Sequence, residues 1–132
     1  MKKTYAALAA ACLVAALAGC ARTGPIYNVN DAPVASASGK AMTAAQVRSA
    51  IVTAGNALGW QIVDAGPGKL VGTLNLRDHQ AVVDIPYTAR SYSIVYKSSR
   101  NLNEANGSIH TNYNGWIQNL DRGIRANLGS AG

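Results

Sequence analysis

Cys12 and Cys20 are the only thiols in the chain, and His79 and His110 are its only imidazoles. A zinc-type centre needs several such ligands, or carboxylates added to them, converging at characteristic spacing. The six acidic residues show no ligand spacing toward either histidine. His79 follows Asp78 in a turn and His110 falls in the first turn of an expected helix, so both read as solvated surface residues and no metal is expected. A hydrolase needs a nucleophile, a base and an orienting acid brought together. Serines are plentiful, yet no Gly-x-Ser-x-Gly elbow occurs. No catalytic residue and no cofactor site is expected, and the chain reads as a non-enzyme.

Ligand contact is the remaining chemistry. Trp60, Tyr87, Tyr92, Tyr96, Tyr113 and Trp116 carry faces on which a ligand stacks, but their spacing places them on inward faces, where they serve core packing. Arg90, Lys97 and Arg100 flank the fourth expected strand. They are candidates for meeting an anionic envelope ligand such as lipopolysaccharide or a peptidoglycan carboxylate; the alternative is a solvated loop.

The remaining question for Cys20 is its surroundings. Residues 1–19 have a positive start at Lys2 and Lys3, an apolar centre from Tyr5 to Leu17 and small residues before a cleavage point, the three parts of a secretory signal. The apolar run is shorter than the roughly 20 residues that span a bilayer. Leu17-Ala18-Gly19-Cys20 resembles the lipobox of bacterial lipoproteins. The resemblance implies diacylglycerylation of the Cys20 thiol, cleavage just before it and acylation of the new amine. An ordinary signal peptide with a cysteine near its end is the alternative. Under the lipobox reading Cys12 leaves with the signal and Cys20 is consumed by lipid, so no thiol is left for a disulfide. Two or three acyl chains, at about 0.8 kcal/mol per buried methylene, hold a protein on a membrane without a spanning helix.

Of 132 residues, 12 are basic and 6 acidic, a formal charge of +6. Removal of Lys2 and Lys3 with the signal lowers this to +4, scattered along one domain at most. The charge favours solubility and weak attraction to anionic surfaces, and secretion argues against a nucleic-acid partner. Residues 20–41 are small, polar and proline-containing without sustained period. They read as a lipidated flexible tether of roughly 25 Å root-mean-square span, with a short docking segment at Ile26, Tyr27 and Val29 as the alternative.

The domain proper is expected over 42–129, with a tail at 130–132. Thr43 and Gln46 form a capping box with Met42 and Val47 at the staple positions. Val47, Ala50, Ile51, Ala54 and Leu58 then recur at helical spacing to Gly59. Four strands follow at Trp60–Asp64, Lys69–Arg77, Ala81–Tyr87 and Ser91–Lys97, joined by turns short enough to dictate an antiparallel meander. A polar loop leads to a second helix capped by Ser108 and stopped by Gly129. Its stripe is Ile109, Tyr113, Trp116, Ile117, Leu120, Ile124 and Leu128, with Asp121 and Arg125 pairing on the outer side. Gly123 suits close packing, whereas Gly115 faces away without an evident reason.

The expected fold is α+β: a two-layer sandwich of order α-β-β-β-β-α, a four-stranded meander with both helices on one face. In outline it is similar to small outer-membrane assembly lipoproteins, including the lipopolysaccharide-assembly lipoprotein. Tyr92-Ser93-Ile94-Val95-Tyr96 and the run from Ile109 to Ile117 resemble a pattern in an uncharacterised family of small envelope lipoproteins, over residues 42–128. The expected function is a membrane-anchored interaction or scaffolding module that meets an envelope protein through its wetter sheet face or an edge strand. The alternative is an anionic-ligand binder using Arg90, Lys97 and Arg100. An exposed patch of Val63, Val71, Val82 and Val95 favours the first. Ala21 after Cys20, where inner-membrane lipoproteins of Gram-negative bacteria commonly carry aspartate, implies the outer membrane, with the domain facing the periplasm.

Overall fold

The computed structural model describes residues 22–131, so the signal segment, Cys20 and Ala21 lie outside the described residues. The element order is β1 (Thr23–Pro25), β2 (Val29–Pro33), α1 (Ala44–Ala57), β3 (Trp60–Asp64), β4 (Lys69–Leu76), β5 (His79–Pro86), β6 (Ser91–Arg100), β7 (Ser108–His110) and α2 (Thr111–Ser130). The α+β class is as expected. The sheet, however, has five antiparallel strands in the order β2-β6-β5-β4-β3, and β1 pairs with β7 in a separate ribbon.

The expected meander is present as β3 to β6, and the extra strands come from the segment read as a tether. Val29 and Ala32 of β2 are buried against the core, paired with Ile94 and Tyr92 of β6. The register shifts between them, with Asp31 in the left-handed region at φ 50° and its N–H donating to Ser93 Oγ at 2.9 Å. An irregularity of this kind lets two residues three apart face the same side. That is why the segment shows no period of two.

α1 begins as expected. Thr43 Oγ1 accepts from the Gln46 N–H at 3.1 Å while Gln46 Oε1 accepts from the Thr43 N–H at 2.9 Å, a complete capping box. Gly59 takes φ 89°, the left-handed residue that ends the helix. α2 begins later than its apolar stripe suggests. Ser108 and Ile109 are strand, drawn out by pairing with Pro25 and Gly24, and His110 is the cap, its Nδ1 accepting from the Asn112 N–H at 3.1 Å. Gly129 lies inside the helix rather than stopping it. β5 starts at His79, two residues before expectation, and β6 runs on to Arg100.

One buried cluster joins the two helices to one sheet face: Val47, Ile51 and Ala54 from α1, Tyr113, Ile117, Leu120, Ile124 and Leu128 from α2, and Leu70, Leu74, Val83, Ile85 and Ile94 from the strands. Trp60 and Tyr92 belong to it, whereas Trp116, Tyr87 and Tyr96 are only partly buried at its border. The helices meet where Gly123 stands over α1; a Cβ there would lie 3.4 Å from the Ala54 Cβ. No helix among the described residues is long and apolar enough to cross a membrane.

Candidate functional site

Alternation along the strands leaves a second sheet face outside the cluster. The register Val63↔Val71, Val71↔Asp84 and Asp84↔Val95 lays one row across β3 to β6. Beside it runs Gln61, Thr73, Val82 and Ser98. Val63 is 58% exposed, while Val71, Val82 and Val95 are half-buried. The four valines whose exposure would favour the interaction reading share one face, with Val63 alone exposed among them. Asp84 stands among them, with Lys69 Nζ at 3.6 Å and Lys97 Nζ at 3.7 Å from its Oδ1. That oxygen is enclosed and accepts no hydrogen bond. Two cations about one carboxylate give the row a net positive charge, and Arg100 adds a third cation farther along the same strand, beside Gln80 Oε1 at 3.4 Å.

Arg90, Lys97 and Arg100 do not converge. Arg90 is in the turn before β6 and Arg100 ends that strand of 10 residues, so roughly 30 Å of extended chain separates them. Lys97 sits between, at the register shift of the β5–β6 pair, and is engaged with Asp84. The basic end of the sheet is thus divided among three places. Arg90 instead has Lys40 as its cationic neighbour, across a recess of about 540 Å³ floored by Val34, Met42 and Ala89. Neither cation makes an ion pair among the described residues.

A buried carboxylate was not anticipated. Asp121, expected to pair with Arg125 on the outer side, does pair with it at 3.1 Å but is itself buried. Its other oxygen accepts a 2.5 Å hydrogen bond from the buried Tyr92 hydroxyl. Burial first, and the bond to Asp121 second, raise the Tyr92 phenol above its ordinary value. Tyr113 is raised by burial as well; its hydroxyl has no partner, and its ring meets Tyr96 edge-on at 5.6 Å. The helix period set Asp121 with Arg125 on the outer side, and no sequence signal connected it to a strand tyrosine. The Tyr92–Asp121–Arg125 cluster fastens α2 to β6.

His79 is less free than expected. Its Nδ1 lies 2.7 Å from the Asn101 carbonyl oxygen and its ring is 6.2 Å from that of Trp116. The described residues contain no group of three His, Cys, Asp or Glu able to hold a metal. No family model, curated protein or solved structure matches the chain. The candidate functional surface is the open sheet face.

Proposed function

We propose that this protein is a lipid-anchored envelope protein, non-catalytic, which binds a protein partner through the open face of its sheet. The observation that carries the reading is the row Val63, Val71, Asp84 and Val95 on the face that the core cluster leaves uncovered. Aliphatic groups ringed by Lys69, Lys97 and Arg100 suit a partner that offers an apolar patch bordered by carboxylates. The anchor reading is supported by Leu17-Ala18-Gly19-Cys20 behind a short signal, and Ala21 supports the outer membrane with the domain in the periplasm. The two-layer arrangement, with both helices on one face, leaves the opposite face open for this role.

A photo-crosslinking residue at Val63 tests it in cells. The expected result is a discrete adduct that disappears when Val71→Glu is added and is absent when the crosslinker replaces Gln118 on α2. An adduct indifferent to Val71→Glu, or none at Val63, overturns the reading. A second reading, an anionic envelope ligand such as lipopolysaccharide or peptidoglycan, is favoured by the recess between Lys40 and Arg90. It predicts that Lys40→Ala with Arg90→Ala weakens retention on immobilised ligand at least tenfold, about 1.4 kcal/mol.

A further inference from the structure

Arg22, two residues past Cys20, is already fixed to the domain. Its carbonyl accepts from the Thr111 N–H at 3.0 Å, and Thr23 pairs with His110. Two residues reach about 7 Å at full extension, comparable with the roughly 5–8 Å of headgroup region in each leaflet. A tether of twenty free residues would let the domain tumble; this leash does not. We infer that the acylated chain seats one end of the domain on the lipid headgroups, the end formed by the β1–β7 ribbon, the start of α2 and the β4–β5 turn. The inference rests on lipid attachment at Cys20 and adds to it the surface that the membrane covers.

The contacts at that end show which elements lie level with the leash. The His110 N–H donates to the Leu102 carbonyl at 2.8 Å, and His79 Nδ1 lies 2.7 Å from the Asn101 carbonyl, which brings the Arg77-Asp78 turn alongside the ribbon. Leu76 before that turn is 45% exposed. Arg22, Arg77 and Arg100 are set against Asp78 and Glu104, a balance that suits an anionic lipid surface. The other end of α2, of 20 residues, lies about 30 Å away. There the Ala37 N–H meets the Gly129 carbonyl, and Lys40 and Arg90 line their recess. A membrane seated at the first end leaves the recess facing outward and the open sheet face standing across the membrane plane, accessible from the side.

Past Cys20 the chain has no other thiol, so one introduced cysteine takes a label uniquely. Asn112 and Ala131 are exposed at opposite ends of α2. The acylated full chain, carrying a fluorophore at Asn112→Cys or Ala131→Cys, is reconstituted in phosphatidylethanolamine–phosphatidylglycerol vesicles containing headgroup-nitroxide lipid. Quenching several-fold stronger at Asn112→Cys is the expected result. A Gly-Ser spacer of about ten residues between Ala21 and Arg22, spanning roughly 17 Å root-mean-square, should remove most of that difference. Equal quenching of both labels on vesicle-bound protein overturns the orientation while leaving the anchor standing. Maleimide labelling of Cys20 in the parent, with failure to float with vesicles, overturns the anchor and the orientation together.

Discussion

Two buried tyrosines occupy opposite situations, and the contrast yields a test at the level of single atoms. The Tyr92 hydroxyl is bound by Asp121, which keeps a second partner in Arg125, whereas the Tyr113 hydroxyl is enclosed and bonded to nothing. Tyr92→Phe leaves a buried carboxylate one donor short and should cost about 1–3 kcal/mol. Tyr113→Phe removes an unsatisfied group and should be neutral or stabilise by about 1 kcal/mol. Urea midpoints at neutral pH check both; a Tyr113→Phe loss beyond about 1 kcal/mol would show that the hydroxyl has a partner. Burial raises both phenols, so the folded chain keeps protons that the unfolded chain releases near pH 10. Their contribution is therefore complete below about pH 10 and falls as pH rises above it, by at most about 1.4 kcal/mol per unit per tyrosine. Tyr92→Phe should shallow that alkaline decline. A phenolate absorbance step near pH 10 in folded protein that Tyr92→Phe or Tyr113→Phe removes would contradict the burial argument.

At the scale of elements, three helix glycines separate propensity from packing. A Cβ on Gly115 would meet nothing within 4 Å, so Gly115→Ala should gain about 0.8–1 kcal/mol from helix propensity alone. On Gly123 it would sit 3.4 Å from Ala54 Cβ and 3.5 Å from Leu58 Cδ1, in ordinary contact, and the gain should be smaller. On Gly55 it would stand 2.6 Å from Ile62 Cγ1, and Gly55→Ala should destabilise by about 1–3 kcal/mol as β3 is pushed from α1. Thermal midpoints that fail to follow this order would refute the packing between α1, α2 and β3. The same elements mark what was legible. α1 and the four-strand meander were readable because capping chemistry, alternation and short turns are local. β2 was not, because Asp31 in a left-handed conformation breaks the alternation between Val29 and Ala32. Ile109 was assigned to a helix because it stands four residues before Tyr113; only pairing with Gly24, distant in sequence, makes it strand. The valine face was legible from alternation, whereas the dispersal of Arg90, Lys97 and Arg100 follows from the length of β6.

For the whole molecule, the proposed anchor at Cys20 and the fold of residues 22–131 call for separate readouts. Cys20→Ser should release the protein from membranes and leave its urea midpoint unchanged; a serine variant that still sediments with membranes refutes the lipobox reading. The position after it carries a further consequence. In Gram-negative hosts an aspartate there commonly retains a lipoprotein in the inner membrane, and Ala21 implies passage to the outer one. Ala21 is also the single residue between Cys20 and Arg22, whose carbonyl is tied to α2. Ala21→Asp changes that one position, and an unchanged urea midpoint in the variant separates any shift in location from a folding defect. On a density gradient the variant should band with inner-membrane markers and the parent with outer-membrane markers. Parent and variant banding together at the inner-membrane density would refute the sorting argument, while an intact acyl anchor in both would leave the seat of the domain on the headgroups unchanged.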